Sequence, residues 1–574
     1  MWKLFKIFKK SSRTKYHQDL DPDEILLDST NLAGHNRDQF EGRLEKPISR
    51  ASIYGLGIFV LILITAYAGR IGWLQVIDGN TYAERSEKNF LRNTLIFAER
   101  GMFLDREGKA LAWNDVNKDS TDAYNLRKYA DKFGISSILG YVKYPMKDKY
   151  GFYFSDVLEG KDGLEKYFNT ELSGQDGLRI VEVNALNKVV SESTVRPPEN
   201  GKNITLSIDV DLQHNLYRIM DELTKQIGFG GGSAVIMNVK TGEIVAMVNY
   251  PEYSSQAMTD GNTNLINSYL KNKNKPFLNR AINGIYAPGS TVKPFMSLAG
   301  LNEKIIDPLT NIYSSGQLVL PNPYDPSNPS IFRDWKAHGY VDMRKAIAVS
   351  SDEYFYRLGG GFEPDKQKGL GITLIDKYMK LFGFGEAVKE KFFNGANGTI
   401  PTPEWKALNF KDGVWRVGDT YHTSIGQYGF LISPIQMVRA DAIIATDGKI
   451  VEPTILKAGP DDVPNITGQV DIDPSYFKIV KEGMRMGVEA DFGTVKLLNF
   501  KEISVASKTG TAEIDEGVPK VNSWVTGFFP YENPKYAFTV VMERGPIKSD
   551  LGATRVMKGL FEWLIVYKPE FLKN

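Results

Sequence analysis

A serine that is to attack an amide carbonyl needs a base within reach, because an alcohol is a poor nucleophile until its proton is taken. A lysine three residues later on the same helical face supplies that reach. Four pairs in the chain have this spacing: Ser12/Lys15, Ser268/Lys271, Ser290/Lys293 and Ser475/Lys478. Context separates Ser290 from the rest. It follows the turn residues Ala-Pro-Gly and opens "TVKPFMSLAGL", where Val292, Phe295, Met296, Leu298 and Leu301 recur at helical spacing. Ser290 is thereby placed at a helix N-terminus, where backbone N–H groups and the helix dipole favour developing negative charge. Burial and neighbouring cations would lower the Lys293 pKa until it can serve as the base. Pro294 removes the N–H that would pair with the Ser290 carbonyl, which is tolerable only in a first turn. The expectation is an irregular first turn that leaves this carbonyl free. A helix cap beside a surface lysine is the other reading of the same spacing.

Two further triplets carry candidate chemistry. Lys-Thr-Gly occurs twice. Lys240-Thr241-Gly242 joins two apolar runs and reads as the turn of a hairpin. Lys508-Thr509-Gly510-Thr511 lies inside a strand pattern, where a glycine weakens the strand unless another backbone must approach closely. An edge strand bearing hydroxyls and a cation could take an extended peptide by strand addition and bind its carboxylate. Ser350-Ser351-Asp352 precedes a helical run, so a plain N-cap with an acidic first turn is its bland reading.

The elements that would position these residues follow from periodicity. "VRPPENGKN" (Val195–Asn203) reads as a Pro/Gly/Asn linker at a domain boundary. "ITLSIDVDLQHNLYRIMDEL" reads as a strand and then an amphipathic helix with Leu212, Leu216, Ile219 and Leu223 on one face. "GSAVIMNVKTGEIVAMVNYP" is a two-stranded hairpin, and three strand-like runs return near the C-terminus, beginning with "EISVASKTGTAE". About two hundred residues rich in helix and loop lie between them. Strands, helices and returning strands predict an α+β domain whose sheet is closed by the two ends of that region.

The composition narrows the chemistry. The 574 residues suggest two to four domains, and a formal net charge of +1 gives no bulk electrostatic case for nucleic acid. The chain has no cysteine, which excludes disulfides and thiolate catalysis, and its five histidines lack paired-ligand spacing. "GFGGGS" lacks the lysine that a phosphate-binding loop needs.

Residues 53–69 form an uncharged apolar run bracketed by Arg50 and Arg70, with Tyr54, Tyr67 and Trp73 at its ends. Its length is at the short end of a spanning helix. The basic residues of "MWKLFKIFKKSSRTK", with Arg43, Lys46 and Arg50, place the N-terminus in the cytoplasm by the positive-inside bias. "WKLFKIFKK" also alternates as an interfacial helix would, a disordered basic tail being the alternative. Some five hundred residues would then lie outside the cytoplasm, where cofactor-free chemistry is favoured. The expected layout is a cytoplasmic tail (1–50), a transmembrane anchor (51–72), a membrane-proximal domain (73–200) and a catalytic domain (201–574).

Serine-x-x-lysine, serine-x-asparagine and lysine-threonine-glycine are the signature of penicillin-binding proteins and class A β-lactamases. Here Ser290/Lys293, Ser350/Asp352 and Lys508-Thr509-Gly510 stand in that order beyond a membrane anchor. From about Arg50 onward the chain resembles a class B penicillin-binding protein, a membrane-anchored peptidoglycan D,D-transpeptidase. "AERGMFLDREGKALAWN" and "GLEKYFNTELSGQDG" are similar to the family's pedestal segments. "YAPGSTVKPF", "DTYHTSIGQYGFLISPIQMVRADAIIATDG" and "VASKTGTAE" are similar to its catalytic blocks. Asp352 in place of asparagine, with "FRDWKAHG", looks like the elongation type, penicillin-binding protein 2. The division type is the nearer alternative; a β-lactamase, a penicillin sensor or a non-catalytic activator of a glycan polymerase are more distant.

The resemblance implies Ser290 as acylated nucleophile, Lys293 as its base and Ser350 as proton relay beside Asp352. Lys508, Thr509, Gly510 and Thr511 would hold the substrate carboxylate, with the N–H groups of Ser290 and Thr511 as oxyanion hole. It implies peptidoglycan stem peptides ending in D-Ala-D-Ala as substrate, β-lactams as inhibitors, no nucleic acid, and a membrane glycan polymerase of the shape, elongation, division and sporulation type as partner. Some elongation-type members bind zinc through Asp, His and Cys beside the middle motif. Asp334 and His338 are present, but Ser351 stands at the cysteine position, so neither a metal nor another cofactor is expected. The stretch from Asn114 to Gly163 is shorter than the family's usual head region, and no room is left for a glycosyltransferase domain.

Overall fold

The computed structural model describes residues 49–83, 91–118, 124–147, 153–155, 158–183, 189–322, 324–459, 463–515, 519–547 and 551–573. The basic N-terminal run, with its interfacial-helix expectation, lies outside them. The described residues fall into two units, one holding 49–83, 91, 92 and 183, the other holding the described residues from 93 to 182 and from 189 to 573.

In the first unit the apolar run forms helix α1 (Arg50–Gly72), capped by the Ser49 side chain, which accepts from the Ser52 N–H. One π-helical turn, Trp73–Ile77, continues it. None of its residues is buried, as befits a helix apolar on all sides. Arg50–Ile77 is long and apolar enough to cross a membrane.

The second unit holds the five-stranded antiparallel sheet that the strand grouping predicts. β1 (Gly231–Asn238) and β2 (Ile244–Tyr250) form the hairpin, with Lys240-Thr241-Gly242 as its turn. β3 (Ala506–Asp515), β4 (Pro519–Phe529) and β5 (Tyr536–Pro546) return to it in the order β2-β1-β5-β4-β3. β1 pairs with β5 from Gly231↔Glu543 to Asn238↔Tyr536, so the two ends of the region close the sheet. β3 is left at the edge.

Alternation along β1 sends side chains to two cores. Ala234 and Ile236 join Leu212, Leu216 and Leu223 of helix α2 (Val210–Ile227) on one face. Val235 and Met237 face the helical region on the other. That region includes α3 (Lys293–Asn302), α4 (Met343–Val349), α5 (Asp352–Gly360), α6 (Val417–Ser424) and α7 (Pro434–Ala445). Helix α8 (Ala553–Tyr567) covers the α2 face through Leu560 and Phe561.

Residues 93–206 add a four-stranded sheet built from Phe103–Leu104, Ala110–Asp115, Leu126–Tyr129 and Ile204–Thr205. Its core contains a buried ion cluster, Arg100–Glu165–Arg127, each pair closing at 2.7 Å. The Val195–Asn203 run is not a free linker. It begins inside a strand, and its remainder is packed down: Gln175 and Glu199 exchange backbone hydrogen bonds, and the Gly201 N–H donates to Glu99 O. A Cβ on Gly201 would lie 1.7 Å from the Leu172 carbonyl oxygen, so glycine serves close approach there and not flexibility.

Candidate active site

The three triplets converge on one cleft of about 650 Å³, lined by Ser290, Ser350, Asp352 and Thr509–Thr511. Ser290 lies in a 3-10 turn, Gly289–Val292, that feeds directly into α3. The first turn is irregular as Pro294 implies, but the Ser290 carbonyl is not free. In 3-10 geometry its partner is the N–H three residues on, so Lys293 N–H donates to it and the missing Pro294 N–H costs nothing. The competing Ser268 and Ser475 are elsewhere: Ser268 donates to the Leu265 carbonyl and Ser475 to Asp473.

Edge strand β3 runs against this turn. A Cβ on Gly510 would lie 2.6 Å from the Pro288 carbonyl oxygen, and one on Gly289 (φ +54°) 2.9 Å from the Thr511 carbonyl oxygen. The glycine inside the strand is therefore required by close backbone approach, and it brings the Ser290 turn alongside Thr511.

Ser350 and Ser351 divide their tasks. Ser351 is the N-cap of α5, accepting from the Tyr354 N–H. Ser350 ends α4 in the left-handed conformation (φ 61°), a strained position for a non-glycine residue. This turns its hydroxyl between two buried lysines. Lys293 Nζ donates to Asp352 Oδ1 at 2.6 Å, Ser350 O at 2.7 Å and Ser350 Oγ at 3.3 Å. Lys508 Nζ donates to Ser350 Oγ at 2.8 Å and Thr509 O at 2.8 Å. A hydroxyl has two lone pairs and can accept from both amines. Burial pushes Lys508 well below the ordinary lysine range and the Lys293 charge adds to this, with Asp352 partly offsetting both. Two ammonium groups on one hydroxyl repel, so the arrangement favours one protonated and one neutral amine.

Sequence reasoning missed several residues of this cleft. Thr494 Oγ1 accepts from Thr509 Oγ1 at 3.2 Å and so orients it. His422 lies on the wall, and burial lowers its pKa against the raising influence of Asp419 and Asp352. Trp335 Nε1 donates to Ser350 O at 3.3 Å. Trp335 follows by two residues the hairpin formed by Gln317–Leu320 and Ser330–Arg333, whose pairing leaves no mark in the local pattern.

Asp334, His338 and Ser351 come together beneath that hairpin. Ser351 Oγ donates to Asp334 Oδ2 at 2.8 Å, the Glu353 N–H donates to the same oxygen at 3.0 Å, and His338 Nε2 lies 3.5 Å from Oδ1. One carboxylate, one imidazole and a neutral hydroxyl already donating to that carboxylate do not make a zinc ligand set, which favours thiolate and imidazole. Burial raises the Asp334 pKa, but His338, the Glu353 N–H, the Lys293 charge and Ser351 outweigh it and bring it down to about 2. A folded-state value below the ordinary 3.8 stabilises the protein above that pH and ceases to do so as pH falls through about 2. Asp334→Asn is expected to cost about 2 kcal/mol at neutral pH, converting at 1.36 kcal/mol per unit. Denaturant unfolding of the detergent-solubilised chain should show the deficit at pH 7 and its shrinkage toward pH 2.

Residues 232–560 match the family described as "Penicillin binding protein transpeptidase domain", and residues 119–206 match "Penicillin-binding Protein dimerisation domain". The peptidoglycan D,D-transpeptidase MrdA of Haemophilus influenzae is 32% identical over 453 residues, 73% of this chain and 66% of that relative. The chain thus spans about two thirds of the relative's length. Among solved structures, Pseudomonas aeruginosa PBP2 in complex with WCK 5153 superposes with a TM-score of 0.68 at 28% identity, covering 84% of this chain and 98% of that one. PBP2 of Helicobacter pylori, in its complex with MreC, gives a TM-score of 0.66 at 25% identity, covering 83% and 98%.

Proposed function

The chain belongs to the penicillin-binding protein transpeptidase family, and from that premise we propose that it cross-links peptidoglycan stem peptides through a serine acyl-enzyme during cell-wall elongation. One observation carries the reading. Lys293 and Lys508, from two of the three motifs, meet on the Ser350 hydroxyl of the third, beside Ser290.

Acylation begins when Ser290 Oγ attacks the carbonyl between the two D-Ala residues and its proton passes to the Lys293 amine. The N–H groups of Ser290 and Thr511 face the developing oxyanion, where preorganised donors contribute most. Ser350, hydrogen-bonded to both lysines, passes the proton to the departing amine, and D-Ala leaves as the C–N bond breaks. Lys508, Thr509 and Thr511 hold its carboxylate. A neighbouring stem's amine then attacks the Ser290 ester; the new C–N bond forms, the C–O bond breaks, and the proton returns to Ser290. Exclusion of water from the ester separates transfer from hydrolysis.

The elongation role rests on the likeness to MrdA and PBP2. The proposed layout is an anchor at 51–72, a pedestal at 73–200 and a transpeptidase domain at 201–574. The basic residues before α1 put the N-terminus in the cytoplasm and the cleft outside. A membrane glycan polymerase is the expected partner, and an MreC-like protein is a second, because the Helicobacter pylori relative was solved with MreC.

Labelling with fluorescent penicillin and mass spectrometry of the tagged peptide tests the assignment. A long-lived tag on Ser290 is the expected result. A tag on another residue sinks the catalytic assignment, and rapid turnover of the adduct would make the protein a β-lactamase.

A further inference from the structure

Among the residues lining the cleft, Arg333 is the one permanent cation, and its guanidinium makes no ion pair or hydrogen bond with described residues. Its main chain, by contrast, is held on every side. Arg333 pairs with Gln317 across the hairpin, and its carbonyl accepts from Tyr356 Oη at 3.1 Å. On one side Phe332 packs edge-on against Tyr421 at 4.9 Å between centroids; on the other the Asp334 N–H donates to Gly316 O at 2.9 Å. Arg333 ends its strand and lines the cleft with Trp335, whereas Phe332 packs on Tyr421 and Asp334 is buried. A fixed backbone carrying an uncommitted guanidinium into a reaction cleft is an arrangement for recognising an anion of the substrate.

The position of that anion follows from the transpeptidase reading, on which this inference rests. The leaving D-Ala carboxylate is taken by the Lys508–Thr511 strand, so the acyl part of the donor occupies the rest of the cleft, whose lining includes Arg333. The other charged groups of the lining discourage an anion elsewhere. Asp352 is committed to Lys293, and Glu513, further along the strand, is itself negative. We propose that Arg333 selects a donor stem peptide by a free carboxylate on the acyl side of the scissile bond. Two residues of a stem can present one: a third-position diaminopimelate, through its side chain, or the second-position D-glutamate, through its α-carboxylate.

The test is competition for Ser290. Synthetic pentapeptides ending in D-Ala-D-Ala carry diaminopimelate, its side-chain amide or lysine at position three, each with glutamate or isoglutamine at position two. The readout, in the full chain in detergent, is the peptide concentration that halves the rate of Ser290 labelling by fluorescent penicillin. The expected result is that amidating one of the two carboxylates weakens protection about 10- to 100-fold, as for loss of a charge-assisted hydrogen bond. The sensitive position identifies the source. In Arg333→Gln this ratio should fall close to one, and Arg333→Lys should restore part of it, with unchanged thermal unfolding showing that the fold survives.

Indifference of the wild type to both amidations, failure of every peptide to protect, or an equal loss on all peptides in Arg333→Gln would overturn the inference. These outcomes are distinct from failure of the transpeptidase reading, in which penicillin would not tag Ser290 of the wild type at all.

Discussion

Lys293→Met is expected to slow acylation of Ser290 by penicillin about a thousandfold, within the range of a lost general base. The lysine is fully buried under the cleft, and methionine matches its length without leaving a cavity. What the substitution removes is the amine that takes the serine proton, together with the donor for Asp352 Oδ1 and Ser350 O. Lys508→Met should instead weaken protection by D-Ala-D-Ala peptides more than it slows penicillin, because its part is to hold the carboxylate. A Lys293→Met protein that labels within tenfold of wild type would remove the lysine from the base role.

The sheet was legible from the sequence because its signals are local. Apolar runs mark the hairpin strands and strand-like runs mark the three that return, and a glycine inside the Lys508–Thr511 strand announces that another backbone must come close, as Pro288 does at 2.6 Å from a Cβ on Gly510. The roles of Ser350 and Ser351 were less so. Either serine could cap α5 by composition; which one does depends on Ser350 closing α4 in a left-handed turn, and no neighbour in sequence requires that. The expectation of a free Ser290 carbonyl failed because it assumed α-helical pairing from the first residue, whereas the turn is 3-10 and pairs one residue earlier. Arg333 and Trp335 reach the cleft through a hairpin whose strands are four residues each and mostly exposed, so periodicity gives no hint of them. The Ser350–Lys508 contact spans 158 positions and is a property of the fold alone.

Glu165→Gln is expected to destabilise the chain by about 3–5 kcal/mol, the cost of leaving buried charge uncompensated. Glu165 is fully buried, and its two oxygens receive Arg100 Nε and Arg127 Nε at 2.7 Å each. Arg100 is bound further by Ser173 Oγ and the Glu165 carbonyl, so its guanidinium cannot swing out to water. Burial lowers the Arg100 pKa and the Arg127 charge adds to this, while Glu165 opposes both; without Glu165 two cations would share a dry pocket. Arg100 and Glu165 lie in the two segments "ERGMFLD" and "GLEKYF", 65 residues apart, so the pair pins the strand region near Phe103 to the short helix Gly163–Tyr167. The cluster need not be net stabilising to matter. Replacing all three by apolar residues of similar volume (Arg100→Met, Arg127→Met and Glu165→Leu together) should cost much less than Glu165→Gln alone, because desolvation of the ions is avoided altogether. Denaturant midpoints of the single and triple variants decide between the two accounts. A Glu165→Gln protein as stable as wild type would mean that water or a neighbour reaches the arginines. A triple variant less stable than Glu165→Gln would mean that the ion cluster itself holds this region together.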